Sequence, residues 1–119
     1  MIDYKKWKED IYSAIENISD KAYQEEVWLG KSKDFVSSFV EVICILFDDL
    51  CFKDEFWKPE HIIHFNFSQK LIKEMQLLID MIDNYKEKPT DEEILKDPEW
   101  DKVVEQAKRV IALWDITKN

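Results

Sequence analysis

The sequence predicts an all-α fold: a single-domain bundle of about five helices over residues 1–119, with a long aromatic-rich loop between helices three and four. Three observations predict it. Apolar residues recur at three- and four-residue intervals along most of the chain. Helix start and stop signals punctuate that pattern. The length of 119 residues and the hydrophobic fraction of 45% suit one ordinary domain, and no repeat, low-complexity stretch or linker interrupts it.

The first helix runs from Asp3 to Ser19, with Trp7, Ile11, Ala14, Ile15 and Ile18 on one face and Lys5, Lys6, Glu9, Asp10 and Glu16 largely on the other. Ser19 or Asp20 caps a short second helix whose Tyr23, Val27 and Trp28 point inward. Gly30, the one glycine, follows as its stop, where a left-handed residue is needed. The third helix is read from Asp34 to about Leu50 as the central, most buried one. Phe35, Phe39, Val42, Ile43, Leu46, Phe47 and Leu50 form its stripe, and Val36, Val40 and Ile45 widen it. Its β-branched content also suits a strand, and length favours the helix.

Residues Cys51 to Phe67 read as the long loop, held down by Phe52, Phe56, Trp57, Phe65 and Phe67, with His61 to Phe67 as a short extended piece. Ser68 caps the fourth helix, striped by Leu71, Ile72, Met75, Leu78, Ile79 and Ile82, which ends before Lys88-Pro89. Thr90 to Glu93 is a capping box opening a single turn with Ile94 and Leu95. Asp97-Pro98-Glu99 opens the last helix, whose inner face is Trp100, Val103, Val104, Ala107, Ile111 and Trp114.

Charge and composition limit the function. Twenty-six Asp and Glu face 17 Lys and Arg, a formal charge of −9. That sign disfavours nucleic acid and favours a basic macromolecule as partner. No window is apolar enough to cross a membrane, and the N-terminal MIDYKKWKEDIY has no secretory h-region, so the expected location is the cytoplasm. If the helix continues between Cys44 and Cys51, their Cα atoms lie about 10 Å apart, too far for a disulfide, and both are expected to be buried or half-buried thiols.

Chemistry-bearing motifs are sparse. One glycine excludes a phosphate loop, and no serine stands in a recognisable triad. Glu60, His61 and His64 come nearest to a metal motif. Zinc needs three or four convergent ligands and the His-Glu-x-x-His order is absent, so two imidazoles in a loop is the preferred reading, with no cofactor, no metal and no enzymatic activity expected. Asp48-Asp49 and Asp54-Glu55 bracket the apolar Leu50-Cys51-Phe52. Acids at a helix C-terminus oppose its dipole by a few tenths of a kcal/mol, tolerable in a solvated end and expected in a binding patch. Asp91, Glu92, Glu93, Asp97, Glu99 and Asp101 form a second cluster, mostly assigned to capping.

Three stretches in order, Tyr23 to Leu29, Ile45 to Asp49 and Pro89 to Trp100, resemble a family of small acidic bacterial proteins. Some members of that family are identified as immunity proteins of contact-dependent growth inhibition systems. The resemblance implies a cytoplasmic, non-catalytic protein that neutralises a cognate basic toxin domain, a nuclease above all, by occluding its active or substrate-binding surface. The expected contact residues are Asp48, Asp49, Asp54 and Glu55, with Phe56 and Trp57 as aromatic anchors. The alternative is an interaction or adaptor protein with no toxin partner.

Overall fold

A computed structural model describes residues 2–30 and 38–117. Every regular element among them is helical. The order is α1 (Tyr4–Ser19), α2 (Lys21–Trp28), α3 (Phe39–Cys44), a π turn (Ile45–Asp49), a 3₁₀ turn (Glu55–Trp57), α4 (Pro59–Phe65), α5 (Gln69–Asn84), α6 (Asp91–Leu95) and α7 (Pro98–Thr117). The long helices α1, α5 and α7 form the frame, with α7 packed against both of the others.

Short polar side chains start these helices, as their sequence positions require. Asp3 accepts from Lys6 N, Asp20 from Tyr23 N, Ser68 from Leu71 N and Thr90 from Glu93 N, all within 3.0–3.2 Å. Asp97 does the same for Glu99 N at 3.0 Å, ahead of Pro98 in the first turn of α7. Gly30 takes φ +73°, closing α2 in the left-handed region where an L side chain is strained.

The core is one cluster. Ile11, Ile15 and Ile18 of α1 meet Leu71, Met75 and Leu78 of α5 and Trp100, Val104, Ala107 and Trp114 of α7. On the inner face of α7, Val110 is buried, whereas Ile111 is half-buried. Tyr23 is likewise half-buried, and its neighbour Gln24 is the residue of α2 that goes fully inside.

Gln24 is 0% exposed and all its polar capacity is used. Its Nε2 donates to the carbonyls of Asn17 (2.9 Å) and Ile18 (2.8 Å), closing the end of α1. Its Oε1 accepts from the buried Trp100 Nε1 at 2.9 Å. One side chain thus caps α1 and fixes α7 to α2. Around it, Trp100 packs on Trp28 (5.9 Å between ring centroids), Phe39 (5.3 Å) and Tyr85 (5.4 Å). Trp28 Nε1 is buried with no hydrogen-bond partner among the described residues.

Two expected elements differ. The start of the third helix at Asp34, with Phe35 and Val36, lies outside the described residues. From Phe39 the helix is regular only to Cys44, after which Leu50 N bonds back to Ile45 O at 2.9 Å, the π spacing. Trp7 Nε1 donates to the Leu50 carbonyl at 2.6 Å, and Cys51 turns left-handed at φ +54°, which together hold the widened turn. Nor is this segment buried all round: Val40, Cys44 and Ile45 are exposed, so the expectation of two sheltered thiols fails for Cys44.

The second difference is the long loop. Cys51 to Phe67 contains the 3₁₀ turn and α4, so it is not one loop, and the piece from His61 expected to be extended is helical through Phe65. Lys58-Pro59 is a helix start, with Pro at the first position, and Asn66 ends the helix at φ +53°. Helical spacing sends His61 and Phe65 inward and leaves Ile63 77% exposed.

Replacing Gln24 with Leu removes the partner of the buried Trp100 indole N–H and the Gln24 donor to the Ile18 carbonyl, while the Asn17 carbonyl keeps the Asp20 N–H. The expected loss is about 2–4 kcal/mol of folding stability with an unchanged denaturant slope, read by urea unfolding. A loss under about 0.5 kcal/mol would contradict the role assigned to this side chain.

Candidate surface for a basic partner

The expected contact residues divide into three groups. Asp48 and Asp49 are exposed at the end of the π turn, and Asp54 is exposed just before the 3₁₀ turn. None of the three has a Lys or Arg within ion-pair distance among the described residues. Glu55 is engaged. Lys58 Nζ lies 2.9 Å from its Oε1 and holds its carboxyl below the usual carboxylate range, while His61 Nε2 stands 3.7 Å away.

Of the two expected aromatic anchors, Phe56 is ruled out by burial. Phe56 is 0% exposed, at the centre of a ring cluster with Trp7 (5.9 Å), Phe52 (5.1 Å), Trp57 (5.0 Å) and Phe65 (5.1 Å). A side chain with no accessible surface cannot anchor a partner, and burial here amounts to about 1.5–3 kcal/mol of folding stability. Trp57 is half-buried, its Nε1 donating to the Phe52 carbonyl at 2.7 Å. Both rings hold the segment down, as expected for the loop, and Trp57 keeps part of its surface exposed.

The surface beside the acids is instead aliphatic. Along α3 and the π turn, Phe39, Val42 and Leu46 are buried, with Ile43, Phe47 and Leu50 flanking them. The opposite side carries Val40 (53% exposed), Glu41, Cys44, Ile45 (38% exposed), Asp48 and Asp49. No Lys or Arg occurs between Lys33 and Lys53 in the sequence, and this is the signal that sequence reasoning passed over.

Some other acids are matched. Asp10 pairs with Lys6, Glu92 with Lys96, Glu99 with Lys102 and Glu105 with Lys108, at 3.0–3.2 Å and one helical turn apart. Lys21 pairs with Asp101, and Lys53 with Asp83. The second acidic cluster is therefore largely occupied by caps and exposed pairs of small individual worth.

Asp97 belongs to that cluster but is buried, accepting from the Tyr85 hydroxyl at 2.8 Å. The Tyr85 hydroxyl, and then the Glu99 backbone N–H, hold its carboxyl below the usual range. Burial, and then the bond to Asp97, push the Tyr85 phenol up. A groove of about 580 Å³ beside this pair sets Lys86, Lys88 and Lys102 against Asp80, Asp97 and Glu99. Charges of both signs balance there, unlike on the α3 face.

The histidines are placed apart. His61 is buried, its Nδ1 2.9 Å from the Tyr4 hydroxyl, whereas His64 is exposed and stacks on the Tyr4 ring at 3.8 Å. Both sit on α4, so the expectation of two loop imidazoles is corrected to one core and one surface histidine. Among the described residues no group of three or more His, Cys, Asp or Glu is placed to hold a metal ion, and no helix is long and apolar enough to cross a membrane.

A family model described as a domain of unknown function (DUF7945) matches residues 2–117, and the chain belongs to that family. No curated protein and no solved structure matches the chain.

Because the Asp97 carboxyl is depressed in the fold, its contribution is complete above the unfolded value of about 3.9 and is lost as pH falls through the lower folded value. Asp97→Asn is expected to lower stability at neutral pH and to flatten the acid limb of the stability–pH curve. Unfolding midpoints between pH 7 and pH 2 check this, and an unchanged acid limb would contradict it.

Proposed function

We propose that this member of the DUF7945 family is an immunity protein, a non-catalytic inhibitor that binds a cognate basic toxin domain, a nuclease above all, and covers the surface with which it holds its substrate. The observation that carries this reading is the group of exposed carboxylates at the end of the π turn and just before the 3₁₀ turn. Asp48, Asp49 and Asp54 are exposed and without an ion pair among the described residues, while Asp10, Glu92, Glu99 and Glu105 each have a lysine one turn away.

The physical logic is complementarity. A nuclease surface that grips phosphates presents Lys and Arg, and carboxylates set on a fixed turn meet those cations without reorganising. Opposite fields also speed encounter, which matters when a single free toxin molecule is harmful. Asp48 and Asp49 sit where the helix dipole is negative, an arrangement that works against folding by a few tenths of a kcal/mol and in favour of a cationic partner.

The test is co-expression with the toxin domain encoded beside the gene. Growth is expected to be protected, and the purified chain is expected to block the toxin's activity at stoichiometric ratio. The triple variant Asp48→Asn, Asp49→Asn, Asp54→Asn is expected to associate about tenfold more slowly at low salt, with a flatter salt dependence, while folding slightly more stably. An unchanged association rate removes these acids from the interface, and failure to protect removes the immunity reading.

A further inference from the structure

We propose that the outward face of α3 and the π turn is an amphipathic docking ridge whose occupant is a protein segment bearing an apolar side chain ringed by Lys and Arg. The biological identity of that partner rests on the immunity reading. The ridge shares Asp48 and Asp49 with that reading and adds Val40, Glu41, Cys44 and Ile45.

A helix face that only meets solvent is normally polar. Here Val40 (53% exposed), Cys44 and Ile45 (38% exposed) share the outward side with Glu41, Asp48 and Asp49. Isolated surface aliphatics are common and need no explanation. Val40 and Cys44 lie one turn apart, Ile45 stands on the neighbouring row one turn after Glu41, and none of Glu41, Asp48 and Asp49 makes an ion pair among the described residues.

The ridge is also fixed from beneath. Ser38 caps α3 through Glu41 N at 3.1 Å, Phe39, Val42 and Leu46 lock the inner side, and the Trp7–Leu50 bond holds the far end. A surface of about ten residues held this way spans about 15 Å, the length of two to three turns of a partner helix.

Charge decides the occupant. A second copy would bring the same carboxylates against themselves on chains of charge −9, and nucleic acid is repelled by the same sign. A plain polycation gains little from exposed, screened carboxylates. An apolar side chain seated on Val40 and Ile45, with cations reaching the acidic margin, forms the dry centre and polar rim of a productive interface.

The experiment titrates the isotope-labelled full chain with two peptides, an amphipathic Leu/Lys helix and an oligolysine of equal charge, followed by amide NMR. The Leu/Lys helix is expected to bind at least about tenfold tighter, with shifts centred on residues 40–49. Val40→Ser with Ile45→Ser is expected to erase that advantage while leaving oligolysine binding unchanged. Val40→Thr, which keeps the shape and adds a hydroxyl, is expected to move affinity in the same direction and covers the case in which the double variant folds poorly. Equal binding of the two peptides, or shifts centred on α5 and α7, would overturn the ridge. A chain that protects against no toxin yet gives the expected peptide pattern loses the immunity reading and keeps the ridge. A chain whose double variant neutralises toxin as well as the parent keeps the immunity reading and loses the ridge.

Discussion

The fold turns on a buried amide. Gln24 has no exposed surface, and a polar side chain in that position is tolerable only when every donor and acceptor is matched. It satisfies that condition by bonding two carbonyls at the end of α1 and the indole of Trp100 on α7. Apolar contacts slide at modest cost, but hydrogen bonds have directions. The register of α1, α2 and α7 is thereby specified, and the ring cluster of Trp28, Phe39, Tyr85 and Trp100 assembles around that fixed point.

From that cluster the structure leads outward to the proposed contact surface. Phe39 is both the first residue of α3 and a member of the ring cluster, so the helix that carries the acidic ridge begins inside the core. At its other end the chain departs from α-helical spacing, and Trp7 of α1 grips the Leu50 carbonyl. Between these anchors the outward side is free of folding duties. Asp10, Glu92, Glu99 and Glu105 each pair with a lysine one turn away, whereas Asp48, Asp49 and Asp54 have no ion pair among the described residues, on a chain that is acidic as a whole.

The all-helical class was legible because apolar spacing, caps and stops agree: Asp20, Gly30, Ser68, Thr90 and Asp97 all do what their positions imply. Three features were not. Gln24 looks like a surface residue beside Tyr23, because its partner Trp100 lies 76 residues away. In the segment after Cys51, Ile63, Phe65 and Phe67 mimic strand alternation, although the signals of Pro59 at a helix start and Asn66 at its stop were both present. Hydrophobic pattern also cannot tell a buried aliphatic from an exposed one, so Val40 and Ile45 merged with the core stripe. For the candidate site, exposure reversed the assignments. Asp48, Asp49 and Asp54, without an ion pair among the described residues, are outside, whereas Phe56, expected as an aromatic anchor, is needed within.

A scaffold fixed at Gln24 and a contact face confined to α3 make a divided molecule, one part rigid for folding and the other presented for binding. Hydrogen–deuterium exchange of the chain alone and saturated with its toxin domain tests that division most directly. Protection gained on binding is expected in peptides covering residues 39–54, with α1, α5 and α7 exchanging as they do in the free chain. Protection centred on the groove between α5 and α7, with residues 39–54 unchanged, would contradict it.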